Sequence, residues 1–290
     1  MKRIVIPVIT CILAVAALFF LHTSSNTTPE SVEVAVLMYH HFAEETNWTT
    51  VSEAEFRDHL TALDAAGYET VTTHELLDYV EGDGTLPEKP LLITMDDGYT
   101  SNLTAAGPIL EEFSMTATVF VIGINEGQTI YAHSGNPLLP ARFAYEEALP
   151  WVEKGVLDVQ SHTYDLHQLE SYGFSGRNGM LQLAEESLEA YTDAILQDCK
   201  AFREARSNDG LTELIAIAYP FGYHTTELDQ MLESEFAVTF TIEEHMNTIT
   251  QGDLSTLRML GRFNVPGGLS GDALLQKLET AAQAAGSSQN

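Results

Sequence analysis

"LLITMDDGYTSNL" (residues 91–103) carries an apolar run into two adjacent carboxylates and a glycine. Leu91–Met95 reads as a strand buried on both faces, because it is short and continuously apolar. An Asp-Gly pair alone would turn the chain. The second acid is not needed for a turn, and it sets two like charges side by side. Two carboxylates at one strand end suit a site in which they perform different tasks.

Outward from this stretch, apolar β-rich runs alternate with helical patterns. Strands are expected at Val34–Tyr39, Tyr68–Val71, Thr118–Ile122, Val156–Gln160, Leu214–Tyr219, Ala237–Thr241 and Met259–Val265. Helices are expected after the capping pair Ser52/Glu55 and over Thr73–Val80, Ser101–Phe113, Tyr145–Lys154, Leu181–Arg206 and Thr225–Glu233, with a last one from Gly271. Such alternation predicts a parallel α/β fold, barrel-like or doubly wound. In a barrel, ligand sites lie at the C-terminal strand ends. The polar outliers fall there: Tyr39-His40-His41, Asp96-Asp97, Ser161-His162, Tyr219-Pro220-Phe221-Gly222, and Arg262 late in the last strand.

Composition sets outer limits. The chain has 290 residues, 44% of them hydrophobic, and a formal charge of −29. So acidic a surface argues against nucleic acid or an anionic membrane face as partner. Lys2 and Arg3 precede a largely apolar run from Ile4 to Leu21, which has the layout of an export signal or an uncleaved anchor. Residues 1–22 are assigned to that segment, 23–33 to a polar linker and 34–284 to one catalytic domain. The body is expected outside the cytoplasm, tied to a membrane only through this segment, and monomeric. Cys199 is the sole cysteine of the body, so an intramolecular disulfide there is excluded, as is a zinc site built on cysteines.

"VQSHTYDLH" sets His162 and His167 five residues apart after a strand. That spacing suits a strand end plus a turn rather than one helix face. With a carboxylate from another strand end, two histidines make an open three-ligand zinc site, whose free position takes water. Hydrolysis then needs a base near that water. Asp96 and Asp97 supply a ligand and a base, provided that Gly98 breaks the strand so that both point inward.

These residues resemble the polysaccharide deacetylases of carbohydrate esterase family four. "TMDDG" looks like that family's TFDDG motif and "SHTYDLH" like its HSxxH/HTxxH motif. The resemblance covers most of residues 34–265 and implies a distorted, incomplete (β/α) barrel of about seven strands. It implies Asp97, His162 and His167 as ligands of a divalent metal, zinc by expectation, and Asp96 as catalytic base. Two motifs depart from the usual pattern. "AYPFG" stands where RxPY is expected, and no late Leu-x-His supplies a general acid. Both departures resemble the exported enzymes that deacetylate poly-N-acetylglucosamine, in which the acid comes from an N-terminal "YH". By that resemblance His40 is the acid rather than His41, Arg262 orients Asp96 (Arg258 being its neighbour), and Tyr219, Pro220, Phe221 and Gly222 form a groove wall with an oxyanion donor.

The expected activity is removal of N-acetyl groups from an extracellular polysaccharide. O-acetyl esterase activity on a glycan such as acetylated xylan uses the same residues. An inactive metal-bearing carbohydrate-binding module would require loss of a ligand or the base, and all four are present. A two-carboxylate glycosidase is disfavoured, since adjacent acids cannot flank a sugar at the required separation of roughly 5–9 Å. Residues 125–145 are expected to form a loop over the substrate, with Tyr131, His133 and Phe143 as candidate ring-stacking groups.

Overall fold

The computed structural model describes residues 29–206 and 210–288. The expected export segment, residues 1–22, lies outside them. In chain order the strands are β1 (Ser31–Tyr39), β2 (His41–Phe42), β3 (Thr50–Val51), β4 (Glu69–Thr70), β5 (Pro90–Asp96), β6 (Ala117–Val121), β7 (Leu157–Ser161), β8 (Ala216–Ala218), β9 (Val238–Phe240), β10 (Asn247–Thr250) and β11 (Phe263–Asn264). The helices are α1 (Glu53–Ala65), α2 (Thr73–Glu81), α3 (Gly107–Phe113), α4 (Tyr145–Glu153), α5 (Leu188–Ala205), α6 (Thr226–Met231) and α7 (Gly271–Ser288).

The main sheet runs β10-β1-β5-β6-β7-β8-β9, and only the β1–β10 pair is antiparallel. It curls into a half-barrel of seven strands, the incomplete (β/α) barrel that the resemblance implied. Side chains of β1 alternate between two cores. Ala35, Leu37 and Tyr39 pack with Phe56, Leu60 and Leu278 of the outer helices, whereas Val34 and Val36 pack with Leu76, Phe120 and Phe240. β5 divides in the same way, Leu91, Ile93 and Met95 to the first core and Leu92 to the second. Both faces are covered, so the strands carry no polar alternation.

The open side of the barrel is bridged by one segment. Leu260 pairs with Phe240 at the end of β9, and β11 pairs with Leu37 and Met38 of β1. Sequence predicts a continuous strand over Met259–Val265, but only Phe263–Asn264 are strand. The break is local: Met259 sits at φ 54°, and the N–H groups of Gly261 and Arg262 go to Asn247 Oδ1 and the Glu243 carbonyl. The segment thereby steps across from β9 to β1, and Arg262 is wholly buried.

Other boundaries also move. β1 starts at Ser31, because residues 31–34 pair with β10, a strand that the periodicity does not announce. Helix α5 starts at Leu188, capped by Ser187. The seven residues expected as its first turns, 181–187, are held outside it by the largely buried Arg177–Glu186 pair and an Arg177 Nη1 bond to the Leu181 carbonyl, 2.9 Å. The helix expected from Ser101 opens as a π-turn over Asn102–Ala106, which lets buried Asn102 donate to the His40 carbonyl, 2.7 Å. Interruptions of this kind recur at functional sites. Cys199 is a buried free thiol. Among the described residues no helix is long and apolar enough to cross a membrane.

The N-terminal boundary can be tested by truncation. A chain beginning at Pro29 keeps every strand pair of β1 and should melt cooperatively, within about 3 °C of the full chain, by circular dichroism. A broad, uncooperative melt would show that the body depends on what precedes it.

Candidate active site

Strand β5 delivers Asp96 at its last position, and the chain then turns at once. Asp97 and Gly98 both have left-handed backbones, φ 74° and 68°. The turn therefore begins on the second acid itself, one residue before the expected break. Aspartate is among the few residues that tolerate this conformation. At Gly98 a Cβ would also press on Val121 Cγ1 at 3.1 Å. The result brings both carboxylates to one cavity of about 270 Å³.

His162 follows β7, and a third left-handed residue, Thr163 at φ 70°, reverses the chain so that His167 comes back beside it. Their ring centres lie 4.8 Å apart. His162 Nδ1 donates to the Ala218 carbonyl at 2.8 Å, which leaves the Nε2 lone pair facing Asp97. Asp97 Oδ1 lies 3.7 Å from His162 Nε2 and 3.4 Å from His167 Nε2. Ligand atoms about 2.0–2.2 Å from one tetrahedral cation stand roughly 3.4 Å apart. The three ligand atoms, all within 4.8 Å of one another, thus fit a single metal ion.

The histidine loop is held from behind by a residue that sequence reading passed over. Asp198, in the middle of α5, accepts the N–H groups of Tyr164 and Asp165, each at 2.8 Å. Burial pushes its carboxyl up to about 6, although those two bonds pull the other way. A mid-helix acid gives no sequence signal for this role.

Asp96 is clamped by Arg262 in a two-pronged ion pair, Nη1–Oδ1 2.7 Å and Nη2–Oδ2 2.8 Å. Burial alone would raise the Asp96 carboxyl, but Arg262, by charge and hydrogen bonds and with His162 and His40 beside it, holds the group below the usual carboxylate range. Burial would likewise raise Asp97, but the neighbouring histidines His167, His40 and His162 hold it well below that range. His167 is pushed down to about 4, chiefly by burial. Arg258, the alternative arginine, pairs instead with Asp229 at 2.9 Å.

His40 lines the cavity, and its Nδ1 is buried without a hydrogen-bond partner among the described residues. His41 turns away and lies 5.0 Å from the Tyr99 ring. His224, the other histidine near "YPFG", stacks on Tyr219 and bonds to the Gly222 carbonyl. Within the groove-wall segment, the Tyr219 N–H goes to Phe240, its hydroxyl to Asp229 and the Gly222 N–H to Tyr219, while Pro220 has no N–H. Phe221, at φ 58°, lies against His167 with ring centres 4.3 Å apart. In the 125–145 segment Phe143 is buried in the core, whereas Tyr131 and His133 group with Phe174. Arg142 from that segment stacks on Tyr99, whose ionisation is opposed by burial and by the neighbouring Asp97 carboxylate.

A half-barrel with paired acids and histidines at its strand ends defines a hydrolase site. The family model for polysaccharide deacetylase matches residues 83–240, more than half of the chain. The chain belongs to the polysaccharide deacetylase family, hydrolases acting on carbon–nitrogen bonds. The matched span holds Asp96, Asp97, His162, His167 and Tyr219–Gly222, but neither His40 nor Arg262. The YxkH protein of Bacillus subtilis (strain 168) is 27% identical over 254 residues, 87% of this chain and 78% of that protein. The poly-beta-1,6-N-acetyl-D-glucosamine N-deacetylase of Staphylococcus epidermidis is 25% identical over 196 residues, 67% of this chain and 62% of that enzyme. The structure of IcaB from Ammonifex degensii aligns with TM-score 0.69 and 25% identity, over 85% of this chain and 97% of that one.

Two substitutions test the support of the site. Arg262→Met leaves a buried carboxylate unpaired and should cost about 3–5 kcal/mol at pH 7. In the wild type the depressed Asp96 value contributes stability that is present above its unfolded pKa of about 4 and is lost as pH falls through the folded value. In the variant burial is opposed only by the histidines His162 and His40 and raises the group, so acid relieves the strain. The difference between the two proteins in urea melts should shrink from pH 7 to pH 5, and an equal difference would remove Asp96 as its source. Asp198→Asn replaces one acceptor oxygen with an N–H donor and should weaken the affinity for an added divalent cation about tenfold or more by calorimetry. Unchanged affinity with an intact fold would show that the loop needs no clamp.

Proposed function

We propose that this polysaccharide deacetylase is a metal-dependent enzyme that removes N-acetyl groups from a polymer containing N-acetylglucosamine, such as an exopolysaccharide or a cell-wall glycan. The observation that carries the reading is the convergence of Asp97, His162 and His167 on the cavity that also holds Asp96 and His40. The likeness to the staphylococcal N-deacetylase supports the amide over the ester as the bond cleaved. The Lys2–Leu21 pattern supports a location outside the cytoplasm, secreted or anchored to the outer face of the membrane.

Asp97, His162 and His167 would hold the cation, with zinc as the proposed ion. A cation held there supplies Lewis-acid polarisation and a lowered pKa for water. Asp96 accepts the proton of the attacking water. Arg262 occupies one lone pair on each carboxylate oxygen and leaves another free. The ion pair also fixes the carboxylate plane and keeps it ionised. The oxyanion lies near the Phe221 N–H, the backbone donor of Tyr219–Gly222 that those residues do not otherwise use. His40 protonates the departing nitrogen, without which an amide C–N bond breaks very slowly.

The two aspartates should fail differently. Asp97→Asn should lose cation affinity and turnover together, whereas Asp96→Asn should keep the cation and lose turnover. Equal loss of cation in both would mean that the roles are shared. His40→Ala should lower amine release from N-acetylglucosamine oligomers by about two to four orders of magnitude. Hydrolysis of an aryl acetate, whose leaving group departs unaided, should fall far less. His41→Ala should cost little on either substrate, and a His40→Ala enzyme that still cleaved the amide would overturn the assignment of the acid.

A further inference from the structure

Trp48 lines the catalytic cavity together with His40, Asp96, Asp97, His162 and His167, yet 71% of its surface is open to solvent. Its backbone is well fixed. Asn47 and Thr50 exchange both of their backbone hydrogen bonds, 3.0 and 3.3 Å, so Trp48 and Thr49 are the two central residues of a tight turn. The Asn47 side chain accepts the Thr49 N–H at 2.9 Å, and the Asn47 carbonyl accepts the Gly267 N–H at 2.8 Å. Gly267 packs so closely that a Cβ there would meet the Thr50 carbonyl at 2.5 Å. The turn is thus seated on the chain that leaves the barrel seam, and Trp48, lining the cavity while largely exposed, stands at the mouth of the site.

The cavity itself is small. At about 270 Å³ it falls below the roughly 300–1,000 Å³ of pockets that enclose a whole drug-sized ligand. A polysaccharide that places one acetylated unit over Asp96 must run its neighbouring rings outside. The most exposed large apolar residue lining the cavity is Trp48, ahead of Ile242 at 45%, and its rigid indole loses little conformational freedom on contact. Sugar rings present flat C–H faces that pack on aromatic planes and remove apolar surface from water.

We propose that Trp48 is the stacking platform for the ring next to the one being deacetylated, so that the enzyme selects a chain over a single sugar. The proposal rests on the reading of the site as a polysaccharide deacetylase acting on N-acetylglucosamine. It places Trp48 as a specificity-determining residue that acts through binding rather than on the reacting atoms.

The test uses the full-length enzyme and a β-1,6-linked N-acetylglucosamine tetramer. Trp48→Ala should raise KM for the tetramer roughly tenfold, with the loss in kcat/KM carried by KM and much smaller on the monosaccharide. Trp48→Phe, which keeps a smaller ring, should recover much of it. In an Asp96→Asn background, tetramer binding should change tryptophan emission when Trp48 is present and not in the Trp48→Phe double variant. A fall in kcat at constant KM, an equal penalty on monomer and tetramer, or self-association or vesicle binding lost with Trp48 at constant KM would each overturn the platform. If the tetramer is hydrolysed but KM ignores Trp48, the platform fails and the activity stands. If only an acetylated xylo-oligosaccharide is cleaved and shifts Trp48 emission, the platform stands and the N-acetylglucosamine reading fails.

Discussion

Arg262 reaches Asp96 across 166 positions of chain and does so with no exposed surface. Moving a guanidinium and a carboxylate out of water costs several kcal/mol per ion, so a buried pair persists only where further hydrogen bonds support it. Here four of the five guanidinium N–H groups find acceptors, two of them on Asp96. Nε donates to the Thr241 carbonyl at 2.8 Å, Nη1 also reaches Thr94 Oγ1 at 3.2 Å, and the group stands 5.7 Å from the Phe120 ring centre. Those partners lie on β5, on β6 and just past β9. One side chain therefore ties the β9 margin of the open barrel to its interior strands β5 and β6 and aims the candidate base. A lysine could offer a point charge but not this planar fork.

The alternation of strand and helix was legible because burial on both faces leaves the strands continuously apolar, and because Ser52/Glu55 is a capping box in fact as well as in pattern. β10 escaped notice: "NTIT" buries alternate residues at an edge and reads as loop. The late start of α5 was hidden because a helical pattern cannot show that Arg177 will pin the chain outside the helix. Of the site, the acids and histidines were legible through their motif spacing. Arg262 stood out as a polar residue late in the last expected strand, but its role beside Asp96 came only through the family resemblance, since a lone arginine has no signature. Asp198, Arg142 and Trp48 carry no local pattern at all, because their roles depend on contacts between elements far apart in sequence.

Those distant contacts have a common effect. His162 is oriented by a carbonyl of β8, the loop that follows it by a carboxylate of α5, and the backbone at His40 by Asn102 in the π-turn. Asp97 and Thr163 hold left-handed backbones that cost energy unless their surroundings fix them. Strain of this kind, concentrated where the chain must reverse to bring side chains inward, is the structural cost of converging four strand ends on one small cavity. Catalysis by positioned groups requires that such geometry exist before the substrate arrives.

Charge gives the sharpest physical argument for what the cavity is built to hold. Asp96 is answered by Arg262. Asp97 is not answered in kind, because Arg142 is the least of the favourable charges acting on it. Burial holds His167 neutral at physiological pH. The hydrogen bond from Nδ1 leaves His162 with a lone pair on Nε2. An anionic oxygen thus faces imidazole nitrogens at 3.4 and 3.7 Å. Such an arrangement is repulsive unless something electropositive lies between them. A proton satisfies one pair at a time, whereas a dication satisfies all three donors together. The overall charge of −29 does not create this demand, since exposed charges more than about 10 Å away are screened at moderate salt. Two imidazole nitrogens with a single carboxylate oxygen form a mixed donor set that suits zinc and its transition-metal neighbours better than the all-oxygen preference of magnesium or calcium.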